Sequence, residues 1–226
     1  MELLGILVLF GRFGTIGGWT LSEMLLPFAV VNFGCAFSET FFRAFDRFET
    51  YVKNAGVDRM LLRPKSLMLQ TAGADFNLGR CGRIALTLFF VCYAFGENRL
   101  AVNPANLILT ALMCLSSALI FCGVLLLRAA LCFWTVEGLE VMNILHHGGR
   151  TALQYPLSIY NRAFRFAFTF LVPFGAANYY PLLVLLGKAE GGAVIYSLLP
   201  FINILFFFLC YLVWRKGIRR YASTGS

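Results

Sequence analysis

Four side chains close together in this sequence could combine in acid–base or metal chemistry: Glu137, Glu140, His146 and His147. The two histidines are adjacent, so on a helix they point about 100° apart and cannot share a metal face. Glu137 and Glu140 precede them without the order of a known hydrolytic or metal-binding motif, which leaves a polar interfacial pair as the simpler reading. The seven cysteines, 35, 81, 92, 114, 122, 132 and 210, form no CxxC pair and no Cys/His spacing suited to zinc. They read as small apolar residues within or beside apolar runs. A second charged group is the stretch GVDRMLLRPKS at 56–66, where Asp58, Arg59, Arg63 and Lys65 crowd around Pro64.

Chemistry that would power transport from within is missing from the sequence. There is no G-x-x-x-x-G-K-[ST] loop to cradle phosphates, since GKA at 187–189 lacks both the upstream glycine and the Ser/Thr. Glu23 and Glu39 fall near the two ends of one apolar run and Arg128 near the end of another. An ion-driven carrier or an intramembrane protease would instead place ionisable groups at mid-membrane.

The elements that must position these residues are apolar. Of 226 residues, 59% are hydrophobic and 13% charged, with 24 Phe, and the mean hydropathy is +0.75. A soluble domain carries about a quarter charged residues, so the bilayer must be the solvent for most of this chain. The runs are apolar on every face rather than alternating, which predicts an all-α polytopic transmembrane helical bundle and not a β-barrel. Expected spans are about 1–10 (partial), 21–42, 83–96, 105–127, 164–186 and 194–214: five full spans plus an N-terminal half span. Pro27, Pro173 and Pro181 are expected to kink or interrupt their helices. The whole of 1–226 reads as one membrane domain.

Lys and Arg fix the expected orientation. Sixteen lie in 43–83, 128–165 and the tail, against three, Arg12, Arg99 and Lys188, in the alternate connections. The positive-inside rule puts the long loops and the C-terminus in the cytoplasm. The net charge of +8 is therefore no sign of nucleic-acid binding, for which no basic soluble surface exists. In the loop 43–81, Phe45, Phe48, Tyr51 and Val52 fall on one helical face and Asp46, Arg47, Glu49 and Lys53 on another. Such a segment either lies on the membrane surface with its cations near anionic lipid or docks a soluble partner. The residues alone leave both open.

The strings GVDRMLLRPKSLMLQ, FWTVEGLEVMN, GGRTALQYPLSIY, FLVPFGAANYYPLLVLLG and VWRKGIRRYASTGS, in this order over nearly the whole chain, resemble the permease subunits of ABC transporters of the type-2 export class, within a bacterial subfamily. Members have a cytoplasmic segment and a full first span before IGGW, where this chain has the half span 1–10. The resemblance implies a six-helix permease of the bacterial cytoplasmic membrane that pairs with a second copy or a sister permease. It is not itself an enzyme. A separate ABC ATPase subunit binds ATP and Mg, so this chain needs no cofactor of its own. In such proteins the main coupling helix lies between the second and third spans, here 43–81. Arg47, Asp58, Arg59, Arg63 and Pro64 are its expected contact or shaping residues, Gly56 is expected to make a tight turn, and Tyr179, Tyr180 and Pro181 lie toward the outer leaflet. The competing classes are a non-transporting membrane scaffold or lipid-surface anchor, which needs no ATPase, and a lipid-modifying membrane enzyme built on Glu137, Glu140 and the histidine pair.

Overall fold

The computed structural model describes residues 2–76, 78–135 and 140–221, so Glu137 and the end of the tail from residue 222 lie outside the described residues. The described residues are helical and contain no strand. In order the helices are α1 (Glu2–Phe13), α2 (Leu21–Phe41), four short helices α3 (Arg43–Asp46), α4 (Phe48–Lys53), α5 (Gly56–Leu61) and α6 (Leu67–Ala74), then α7 (Cys81–Glu97) and α8 (Pro104–Thr135). The second half has α9 (Glu140–Asn143), α10 (Gly149–Leu153), α11 (Arg162–Phe166), α12 (Phe174–Ala177), α13 (Tyr179–Leu185), α14 (Ala193–Leu198) and α15 (Ile202–Arg220). Wider π turns join α9 to α10 at Ile144–Gly148 and extend α11 over Ala167–Leu171.

Among the described residues three helices are long and apolar enough to cross a membrane: α2, α8 and the run Ala193–Arg220 formed by α14 and α15. They are the chain's uninterrupted apolar stretches, whose backbone groups must bond internally in hydrocarbon. The fold is built on α8, which packs along both α2 and α15, while α7 lies against α2. At the α2–α8 crossing a Cβ on Gly34 would sit 2.6 Å from the Ser117 carbonyl carbon, so only glycine admits this approach. Asn203 Nδ2 donates to Ser116 Oγ at 2.6 Å, and that hydroxyl donates to the Pro200 carbonyl at 3.0 Å, fastening α15 to α8. Helix α2 starts at a capping box: Glu23 N–H donates to Thr20 Oγ1 and Thr20 N–H to Glu23 Oε2. It runs through Pro27 without interruption. Helix α7 has 17 residues, about 25 Å at 1.5 Å each, and is shorter than the hydrocarbon core.

Two stretches differ from the sequence-based expectation. Residues 164–186 are not one continuous span. Arg162–Leu171 and Phe174–Leu185 meet at a bend of 73°, where Pro173 cannot continue the helix. Pro181 interrupts nothing, because it sits in the first turn of α13, where a missing N–H costs no helical bond. Residues 129–163 are not a connection confined to one end either. Asn143 accepts from Arg128, the His146 ring lies 5.4 Å from that of Phe121, and Arg150 Nη2 donates to Asn32 Oδ1 at 2.8 Å. Farther on, Trp19 Nε1 donates to Ser158 Oγ at 3.3 Å. The segment 140–158 therefore climbs antiparallel to α8, from the end holding Arg128 to the end holding Trp19. The bent pair begins and ends at the Trp19 end, since Lys188, just beyond α13, pairs with Glu23 at 2.7 Å and covers the Trp19 ring.

Candidate functional site

The predicted coupling segment leaves α2 at the Arg128 end and folds into α3–α6. Its apolar side chains recur three and four apart, as a helix face requires, and all of that face is used inward. Phe45, Phe48, Val52, Val57 and Leu67 are buried against Leu125, Ala129 and Cys132 of α8 and Cys210 and Trp214 of α15. Trp214 is the hub, 1% exposed, with Phe48 at 4.9 Å, Phe133 at 5.1 Å and Phe45 at 5.3 Å. Each such ring pair adds about 0.5–1.5 kcal/mol beyond its burial. The expected amphipathic face is thus present, but it lies on the bundle, and the large apolar side chains that stay exposed in the segment include Leu61, Leu62 and Leu69. Arg47 and Lys53 point outward.

Ion pairs fasten the same segment at its edges. Glu39, at the end of α2, accepts from Arg80 at 3.1 Å and Arg83 at 2.6 Å. Asp46 pairs with Arg128, which also donates to Asn143. Asp75 pairs with Arg43 at 3.4 Å and more loosely with Arg47 at 4.0 Å. The last is on the surface and contributes little. The Glu39 and Asp46 pairs are more sheltered and set where α3 and α7 meet the bundle. Behind them lies a polar cavity of about 140 Å3 lined by Glu39, Arg43, Asp46, Arg80, His146 and His147.

The turn into GVDRMLLRPKS is made by Ala55, at φ 50°, and not by Gly56. Gly56 is needed for proximity: an added Cβ would meet Tyr51 at 3.2–3.3 Å. Gly56 and Val57 are buried. Gln70 Nε2 donates to the carbonyls of Met60 and Lys65, both at 2.9 Å, and Ser66 caps α6, which holds the intervening loop in place. The loop itself is exposed, with Leu62 at 86% beside Arg63, Pro64 and Lys65.

The six predicted residues fall into two groups. Arg47, Gly56 and Arg59 line a cleft of about 560 Å3 together with Asp75 and Tyr51. Arg63 and Pro64 line a second, of about 820 Å3, with Met60, Lys65 and Gln70. Asp58 lines neither and sits half-buried on α5. The sequence reading missed Leu62, an apolar residue in a charged loop. It also missed Trp214 and Phe133, whose role appears only when three distant segments meet. Of the acid–base candidates, Glu140 is exposed, His146 is buried against Phe121, and His147 is exposed at the edge of the polar cavity, its ring 5.0 Å from that of His146. Among the described residues no three His, Cys, Asp or Glu side chains are placed to hold a metal ion.

No curated protein and no solved structure matches the chain significantly. A family model described as ABC-2 family transporter protein matches residues 1–225. With the match running over all but the final residue, on an all-helical fold built from long apolar helices, the chain belongs to the ABC-2 family of transporter membrane proteins.

Proposed function

We propose that this chain is the permease subunit of an ATP-binding cassette exporter. It forms the path across the membrane, and a separate ATPase subunit supplies ATP and Mg chemistry through contact with residues 43–76. One observation carries this reading. The segment's apolar side is keyed into α8 and α15 through Phe45, Phe48 and Trp214, while the side chains of Leu62, Arg63, Pro64 and Lys65 are exposed. A push on the exposed tip therefore reaches the two longest apolar runs of the bundle as a rigid displacement, because a packed aromatic cluster has no slack to absorb it. The main apolar face of the segment, which a lipid-surface anchor would use, is buried here, and only Leu61, Leu62 and Leu69 among its leucines stay exposed near the tip.

In this reading α2, α7, α8, 140–158 and α15 cross the membrane, α1 adds a half crossing, and Arg162–Leu185 dips in and returns. Thirteen Lys and Arg then lie at the Arg128 end and five, Arg12, Arg99, Arg162, Arg165 and Lys188, at the Trp19 end, with Arg150 between. The bias supports a cytoplasmic position for 43–83 and the C-terminus in a bacterial cell. A photo-crosslinking amino acid at Leu62 should capture the ATPase subunit in native membranes, and one at Leu205 on the outer face of α15 should not. Capture at Leu205 alone would exclude this docking surface.

A further inference from the structure

The polar cavity at the Arg128 end, about 140 Å3 in volume, draws its polar lining from four separate elements. Glu39 comes from the end of α2, Arg43 and Asp46 from α3, Arg80 from just before α7, and His146 and His147 from the π turn Ile144–Gly148. The space takes several water molecules or one small polyatomic ion. His146 is 5% exposed, and its ring lies edge-on to those of Phe121 and His147. Its Nε2 has no hydrogen-bond partner among the described residues. A buried polar atom left unpaired carries its full desolvation cost, so the cavity that this ring lines calls for an occupant.

The acceptors around the cavity are already engaged. Glu39 Oε2 takes bonds from Arg80 and Arg83, its Oε1 faces the Cys35 thiol at 3.6 Å, and Asp46 Oδ1 accepts from Arg128. The donors are not used up. Among the described residues Arg43 meets Asp75 through Nε at 3.4 Å, and Arg80 meets Glu39 through Nη1. A guanidinium carries five N–H groups, so each arginine keeps donors to spare. The charges lean the same way. Arg43, Arg80, Arg83 and Arg128 stand against Glu39, Asp46 and Asp75, and Arg47 adds a further, looser cation at Asp75. A metal ion would need the carboxylates that these arginines hold. Spare donors and surplus positive charge select an anion instead, and guanidinium forks match oxygens arranged as in a phosphate.

We infer that this cavity binds an oxyanion of the phosphate class, held by Arg43, Arg80 and His146. Free phosphate and the phosphate of an anionic lipid headgroup offer the same chemistry. Glu39 and Asp46 also border the site, with their charges met by Arg80, Arg83 and Arg128. The bound anion ties α3 to the start of α7 and to 140–158, so it fixes how the segment 43–76 sits on the bundle. Binding itself needs no ATPase and goes beyond the permease reading. Only access from the cytoplasm rests on that reading.

The test follows thermal unfolding of the full-length chain purified in lipid-free maltoside micelles. Two probes are added separately: inorganic phosphate, against sodium chloride at equal ionic strength, and phosphatidylglycerol, against diacylglycerol in equal amount. At least one should raise the unfolding midpoint above its control, because a ligand that binds only the folded state stabilises it. A response to phosphate identifies the free ion as ligand, and a response to phosphatidylglycerol alone identifies the headgroup. His146→Phe keeps a ring against Phe121 and removes the nitrogens. Arg43→Gln removes one fork, and decides the question if His146→Phe does not fold. Each variant should need roughly tenfold more ligand for the same shift. Arg219→Gln, exposed in the last turn of α15, should respond like wild type. No response of wild type to either probe, or an undiminished response in the site variants, would overturn the site. Capture of the ATPase at Leu62 is read separately, so a failed docking surface and a failed anion site are told apart.

Discussion

Phe48 shows how one side chain joins the loop to the bundle. It is fully buried and touches Phe133 of α8 and Trp214 of α15 through its ring. Phe48→Ala removes both contacts and leaves a cavity, which costs about 3–5 kcal/mol at a core site. The loss should be local: trypsin should cut at Lys65 many-fold faster, while α2 and α8 stay resistant. Equal cleavage rates in variant and wild type would show that the aromatic cluster does not hold the segment. Gly56 makes the opposite point. A glycine beside an asparagine–alanine pair reads as the turn residue, yet the left-handed residue is Ala55. Packing on Tyr51, five residues back, decided which position had to be glycine, and the usual rule that glycine takes the left-handed place in a turn does not carry that requirement. Gly56→Val should lower stability by about 1–3 kcal/mol through overpacking. Ala55→Gly should raise it by roughly 1 kcal/mol, the cost of the left-handed conformation for a residue with a Cβ. Thermal unfolding in detergent ranks all three proteins, and Ala55→Gly melting below wild type would refute the strain at 55.

Among the elements, legibility followed hydropathy. Helices α2 and α8 and the run Ala193–Arg220 are long apolar stretches, and the sequence alone delimits them to within a few residues apart from the longer ends of α8 and the last helix. The segment 140–158 escaped notice because it carries many polar residues, several of which turn inward. Arg150 reaches Asn32, and His146 and Gln154 are buried, so the protein, not the lipid, solvates them. Its composition therefore looks like a loop, and the neighbouring apolar stretch 164–186 took its place. In the proposed reading that assignment is reversed, since the bent pair starts near Ser158 and ends near Glu23, both at the Trp19 end. Arg162→Cys and Lys188→Cys should accordingly react with a membrane-impermeant maleimide from the same side, and Arg63→Cys from the opposite one. Arg162→Cys labelling together with Arg63→Cys would restore 164–186 as a crossing and retire 140–158.

The molecule as a whole separates its charges by end. The Arg128 end collects the ion pairs of Glu39, Asp46 and Asp75 and the exposed cations of GVDRMLLRPKS. That stretch is not a bare interruption: Gly56 and Val57 are packed into the bundle, and residues 61–66 are exposed. Electrostatic steering toward an acidic partner surface weakens with ionic strength, so ATPase association should fall as salt is raised. The most direct measurement is co-isolation of the ATPase subunit with the double variant Arg59→Glu/Arg63→Glu, set against wild type at equal membrane levels. We predict at least a tenfold loss, equivalent to about 1.4 kcal/mol or more, with insertion unchanged. Undiminished co-isolation of the ATPase by the inserted double variant would contradict the account.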